Sequence, residues 1–425
     1  MVHAVLSTGP CAPYLDGMTD ERAPIGIGDR IRILRQRRGL TQKALAGMCG
    51  RGEDWIKRIE SGKRGTTISQ LAKIGHALGV TDLSDLTGTD IGMPMVSAGA
   101  VHDAVAPIRQ AVRAVTLAPL PTQAETTEIL THRVRSAWQL WHRSRFGRTE
   151  VGVLLPDLIA DLHAAARITD GQERRGVYAA MTEMYALTQQ VLAYVSEPEL
   201  YWAVADRIQM AAQQADQPHA LGLAAWCLGN GLRHTAEPYD AIVTVEQALD
   251  LLTPALEDAP EDLRGITGAL HLHAAVSYAQ QGREGDAWRE WDRADDIAHR
   301  LGTGYVHLPT VFGVDNTAVH GVAIATEVAK SGTALERAAS IAAESLPSTE
   351  RASRLLVDAA RAHHQRRDTL GALHELNHAL DVGPENTRAI PSAQSLALDL
   401  SRTRPPAQAA QVDATLERMG LAENS

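Results

Sequence analysis

The stretch Gly39 to Lys63, GLTQKALAGMCGRGEDWIKRIESGK, constrains the chain more than any other. It reads as two short amphipathic helices joined by a tight turn, because apolar residues recur at helical spacing on both sides of a glycine-punctuated break. The preceding IGDRIRILRQRR places Ile27, Ile31, Leu34 and Arg38 on one helical face, and the following TTISQLAKIGHALGV does the same for Leu71, Ile74 and Leu78. Read through, Ile27 to Leu86 is a bundle of about five short helices with cations at its turn and far end.

Specific residues carry a resemblance. Arg35, then Gly39-Leu40-Thr41-Gln42, Leu45-Ala46, Ile56, Ile59-Glu60 and Gly62-Lys63 follow the pattern of the lambda-repressor-like (Xre) helix-turn-helix family without a gap. The resemblance implies that Gln42 opens the second helix and meets a DNA phosphate through its side chain and amide. It implies that Ala46 sits where two helices cross, that Ile56 and Ile59 pack the third helix, and that Arg35 and Glu60 form an ion pair. One departure stands out: the usual Ser or Thr at the turn is absent, and Gly52 stands near the cap of the third helix.

In this family the third helix enters the major groove, its amino-terminal side chains reaching base edges while others hold phosphates. The base-contact positions hold Glu53, Asp54, Lys57 and Arg58. Arg58 suits a bidentate grip on guanine, and Glu53 or Asp54 a cytosine amino group. Equally, those two carboxylates can serve only the positive end of their own helix. Lys43, Arg51, Lys63 and Arg64 surround this surface and suit phosphates, while Trp55 either packs inward or lies along the sugar backbone.

Charge follows the same division. Residues 1–88 hold 13 Lys and Arg against 9 Asp and Glu, and the remaining 337 residues hold 28 against 42, for a net of −10 overall. A basic head on an acidic body assigns the nucleic-acid contact to the head. The three cysteines (Cys11, Cys49 and Cys227) are scattered without CxxC spacing, which argues against a zinc finger and for a reducing compartment. No apolar run is long enough for a membrane span. Residues 1–24 read as a loose tail, 25–88 as the head, and 89–123 as a linker with one helix at 101–115.

From 124 to 420 the chain reads as helix after helix, broken at Gly147, Asp170, Pro198, Pro218, Pro238, Pro260, Gly282, Gly302, Gly332, Pro347, Asp368 and Pro384. Nothing reads as a strand, so the fold class is all-α: a five-helix bundle followed by an α-solenoid. Small residues recur seven apart after turns, at Ala287 and Ala294, at Ala372 and Ala379, and more weakly at Ala241 and Ala248. They let a partner helix approach closely, and the pattern resembles the second helix of tetratricopeptide repeats, though with longer periods of about 40 to 46 residues. Six or seven helix pairs are expected.

Two stripes on expected first helices invite an effector reading: Trp226, Asn230 and His234, and Phe312, Asn316 and His320, each spaced i, i+4, i+8. Asparagine can grip an extended peptide backbone and an aromatic supplies buried area. The competing reading is internal packing. Trp138, Trp141, Tyr178 and Tyr185 either line the other end of the same groove or belong to the core.

His374-Glu375-Leu376-Asn377-His378 spells HExxH, but it falls inside the best-matching repeat with no third ligand downstream, which argues against a zinc protease. His271, His273, His363 and His364 lack cysteine or carboxylate company at ligand spacing and read as solvated. No phosphate-binding glycine loop and no GxSxG occur, so neither enzyme, metal nor cofactor is expected. The arrangement resembles peptide-sensing quorum regulators of Gram-positive bacteria and, more closely, the long Xre regulators of actinomycetes. That resemblance implies a cytoplasmic homodimer on two DNA half-sites about one helical turn apart, with a peptide or small signalling molecule bound by the body. The alternative is a body that recruits a partner protein and takes no effector.

Overall fold

The computed structural model describes residues 27–38, 40–64, 66, 68–78, 80, 86, 102–114, 122–234, 238–403 and 406–421, and divides into two compact units, 1–97 and 98–425.

The first unit contains α1 (Ile27–Arg37), α2 (Gln42–Met48), α3 (Glu53–Glu60) and α4 (Ile68–Ala77). Of the expected fifth helix, only Leu86 lies within the described residues. Thr41 starts α2 because its hydroxyl accepts the Ala44 N–H at 3.1 Å, satisfying one of the helix's open donors. Gly50 and Gly62 take positive φ at the ends of α2 and α3, where a side chain would be strained. The apolar faces meet in one core of Ile31, Leu45, Ala46, Ile56, Ile59, Leu71, Ile74 and Leu78. Gly28 permits the closest approach, since a methyl there would overlap the Ile59 carbonyl oxygen of α3.

The second unit begins with α5 (Val105–Ala114) and continues through α6 (Thr127–Arg143), α7 (Gly147–Ile168), α8 (Gly171–Leu192), α9 (Pro198–Ala215) and α10 (Pro218–His234). Then come α11 (Pro238–Leu252), α12 (Glu261–Gln280), α13 (Glu284–Leu301), α14 (Val314–Glu327), α15 (Ser331–Ala339), α16 (Thr349–Gln365) and α17 (Thr369–Val382). Three shorter helices, α18 (Pro384–Ala389), α19 (Pro391–Thr403) and α20 (Ala409–Met419), finish it. Among the described residues there is no strand, and no helix is long and apolar enough to cross a membrane.

The packing order is that of a two-layer solenoid. Each helix from α6 to α17 packs on its successor, and α6, α8, α10, α12, α14 and α16 each also touch the next of that series. These six form the inner layer of six pairs, and α7, α9, α11, α13, α15 and α17 the outer one. The small residues seven apart are buried at the layer contact: Ala287, Ala294, Ala372 and Ala379 are fully covered, as is Leu376 between the last two.

Two features differ from the sequence expectation. The helix expected in the linker is docked on α7, where a methyl at Gly152 would overlap the Ala104 side chain, and Arg109 pairs with Glu197 at 2.6 Å. The array also closes on itself, because α16 reaches back to α6. His142 at the end of α6 contacts the Leu308 carbonyl at 2.7 Å and the Ser348 hydroxyl at 3.1 Å, and Thr349 donates to the Ser144 carbonyl at 2.8 Å.

Candidate nucleic-acid interface

Helix α3 is amphipathic over eight residues: Ile56, Ile59 and Glu60 are buried, while Glu53, Asp54, Lys57 and Arg58 are exposed. Its cap, Gly52, has extended backbone and no side chain to cap the helix, so the Trp55 N–H turns to the Gly52 carbonyl at 3.0 Å and Glu53 and Asp54 supply negative charge at the helix start. Lys43, Arg51, Lys63 and Arg64 are also exposed. The 63–64 segment is held to α3 by the Arg64 N–H donating to the Arg58 carbonyl at 3.1 Å.

Beneath this surface lies an ion pair. Arg35 donates through Nε and Nη2 to the two oxygens of Glu60, at 2.6 and 2.9 Å, and through Nη1 to the Leu40 carbonyl at 2.8 Å. Burial pushes the Glu60 carboxyl upward, but the hydrogen bonds from Arg35 and Gln42 and the Arg35 charge outweigh it and hold the group below the ordinary carboxylate range. The pair therefore ties α1, the turn before α2 and the last residue of α3 into one rigid frame. Gln42 joins the same frame. Its Nε2 donates to Glu60 at 2.8 Å, so the side chain expected at a phosphate is engaged with a carboxylate. Trp55 packs inward on the core, with the Arg51 guanidinium over its ring at 6.0 Å.

The effector candidates are distributed differently from the expected stripes. Phe312 lies two residues ahead of α14 and not on it, so it shares no helical face with Asn316 and His320. Its ring is fully buried against Gly268, where a methyl would overlap it. Asn316 is buried and donates to the Thr310 carbonyl at 3.2 Å, and His320 Nδ1 contacts the Asn316 carbonyl at 2.8 Å. Trp226 is buried, Asn230 accepts from Arg233 at 2.9 Å, and the His234 side chain lies outside the described residues. Trp138, Trp141 and Tyr185 are core residues, and only Tyr178 of that set is half-buried.

The histidines read as solvated are corrected too. His271 contacts the Glu290 carboxylate at 2.8 Å, His273 is buried, and His363 contacts Asp368 at 2.8 Å. Glu290 comes from the neighbouring helix, which local spacing could not reveal, and Asp368 from the cap of the next helix, five residues beyond His363. In the HExxH segment His374 is exposed and His378 lies 3.2 Å from Glu344.

The first unit is thus a helix-turn-helix bundle whose solvent-facing third helix is flanked by the exposed cations Lys43, Arg51, Lys63 and Arg64, the architecture of a DNA-reading head. A sequence profile for a helix-turn-helix domain matches residues 27–86. An uncharacterised HTH-type transcriptional regulator of Sinorhizobium fredii, y4dJ, is 31% identical over 64 residues, which cover 15% of this chain and 83% of that protein. The chain belongs to this family of helix-turn-helix transcriptional regulators. Among solved structures, Bacillus thuringiensis PlcR in complex with the peptide PapR7 and DNA aligns over 81% of this chain and 98% of that one, at 14% identity and a TM-score of 0.29. A PrgX mutant aligns over 92% and 95%, at 10% identity and a TM-score of 0.21.

Proposed function

We propose that the chain is a cytoplasmic, sequence-specific regulator that works as a homodimer, each head reading one half-site and the helical body binding an effector that changes DNA affinity. The observation that carries the DNA-reading part is the exposed row Lys57–Arg58 on a helix locked by Arg35 and Glu60. In this reading Arg58 and Lys57 face base edges, Glu53 and Asp54 flank them at the helix start, and Lys43, Arg51, Lys63 and Arg64 hold phosphates. Gln42 reaches a phosphate through the second N–H of its Nε2 or through its backbone N–H, while the first Nε2 hydrogen stays on Glu60. A single head gives weak, salt-dependent binding, so useful discrimination requires two.

The body acts on the heads only if its effector binds the DNA-competent and incompetent shapes unequally. Asn230 and His320, the partly accessible members of the two stripes, border the proposed effector site. The test is selection of bound genomic fragments by the full chain, followed by sedimentation on the selected duplex with one or both half-sites. Two copies per two-site duplex, with a large loss of affinity when one site is scrambled, is the expected result. A single copy bound at full affinity to one site overturns the dimer reading.

A further inference from the structure

The closed end of the helical array gathers four arginines from three helices: Arg148, buried at the start of α7, and the half-buried Arg233 near the end of α10 and Arg351 and Arg354 on α16. Glu350 answers two of them, accepting from Arg354 at 2.5 Å and lying 3.0 Å from Arg351. Burial opposes its ionisation, but the two guanidiniums outweigh this and hold it at about 2, so this carboxylate is already committed. Asp358, which also faces Arg354, is paired with Arg361 at 2.9 Å.

The other two cations have no carboxylate partner among the described residues, though the Arg148 guanidinium lies 5.6 Å from the Trp141 ring. Among the described residues no carboxylate lies within ion-pair distance of Arg233, whose side-chain acceptor is Asn230 at 2.9 Å. Arg148, only 4% exposed, donates Nη1 to the Gln190 and Val191 carbonyls at 3.1 and 2.5 Å, and its Nε has no hydrogen-bond partner. Glu350 and Glu385 act on Arg148 only at longer range, and Glu385 is engaged by the Arg148 N–H at 3.0 Å and by Thr149. Enclosure pushes both guanidiniums down to about 10, against the ordinary arginine range.

Tyr194 registers the same field. Burial alone would raise its phenol, as it does for Tyr185 and Tyr201, but Arg354 and Arg233 pull it below the ordinary value. Its ring lies 5.8 Å from the Arg354 guanidinium, and its backbone is held at a φ of 66°, a conformation costly for a bulky residue. Arg351 and Arg354 keep 16% and 34% of their side-chain surface, so the cluster borders accessible space. A cation withdrawn from water without a counter-charge is costly to keep. A fold that buries Arg148 and half-buries Arg233 in this way, beside forked donors suited to a carboxylate or phosphate, is built to receive an oxyanion.

We infer that this cluster is the effector site and that the effector is an anion, its carboxylate or phosphate group gripped by Arg148, Arg233, Arg351 and Arg354 beside Tyr194. The inference rests on the reading of the body as an effector-binding unit and adds the chemistry of the ligand. A peptide's terminal carboxylate and the phosphate of a small molecule share that chemistry.

The test is thermal unfolding of the full chain with pyrophosphate or citrate, each against chloride at equal ionic strength. The wild type should gain several degrees in a saturable manner with at least one anion, and the stronger of the two tells phosphate from carboxylate. Arg233→Gln should melt higher than wild type in chloride and weaken the anion response at least tenfold. A wild type indifferent to both anions, or an Arg233→Gln protein that responds like wild type, overturns the inference. Should that variant not fold, the wild type alone decides. Pyrophosphate or citrate should move the earliest-ionising tyrosine, read at 295 nm, to higher pH, and no movement overturns the inference. Equal protection by pooled short peptides with amidated and free carboxyl ends would leave the effector reading standing and remove only its anionic chemistry.

Discussion

Arg35 grips both carboxylate oxygens of Glu60 across 25 positions of sequence, at 2.6 and 2.9 Å, and thereby fixes the end of α3, the helix proposed to read DNA, to the first helix of the bundle. The pair is buried, so removing one partner strands the other. Glu60→Gln should destabilise the head by about 3 kcal/mol, measured as a lower urea midpoint for loss of the head's helical signal. The sign with pH follows from the depressed carboxyl. The pair's contribution is complete above the unfolded carboxyl's range and fades as pH falls through the lower folded value. The Glu60→Gln variant should therefore lose its deficit relative to wild type in strong acid.

Gly28 sits where α1 crosses α3, with the Ile59 carbonyl against its α-carbon. Gly28→Ala should cost about 1–3 kcal/mol through overpacking, although alanine is the better helix former. A melting temperature equal to or above that of wild type would show that the two helices separate more easily than their packing implies.

His142 closes the array and is held neutral. Burial lowers it to about 4; the Leu308 carbonyl opposes this, Arg351 adds to it more weakly, and Glu350 opposes it least. His163 is likewise pushed to about 4 by burial and Arg207, and His320 to about 3 by burial and Arg351. A histidine depressed in the folded state takes up its proton only on unfolding. Each therefore removes about 1.4 kcal/mol of stability per pH unit as pH falls from about 6.5 towards its folded value. The body's urea midpoint should fall steeply between pH 7 and 5, and His142→Asn should flatten that slope measurably. An unchanged slope would remove His142 from the account of the closure.

Much of the architecture was legible in the sequence because turn chemistry is local. Pro198, Pro218, Pro238 and Pro384 each open a helix, Pro260 and Asp368 cap one, and Gly282 and Gly302 take the positive φ that ends one. The Arg35–Glu60 pair was legible only through the family resemblance, since nothing local links positions so far apart. Phe312 was misplaced because an i, i+4, i+8 spacing continues across a helix start as readily as within a helix; Gly313, in extended backbone, interrupts it. The arginine cluster left no sequence signal at all. Its members come from α7, α10 and α16, each one charged residue among many, and only the return of α16 to α6 brings them together.

α3 is proposed to read base edges through Arg58 while Lys63 holds the backbone. The direct measurement is DNA affinity of Arg58→Ala and Lys63→Ala in the full chain, on the selected operator and on single-base variants across a range of salt. Arg58→Ala should cost about 1–3 kcal/mol and erase discrimination at one base pair. Lys63→Ala should weaken all sequences alike and reduce the salt slope by about 1. Two variants with the same profile, both sequence-blind or both without effect, would contradict the assignment of this helix to the major groove.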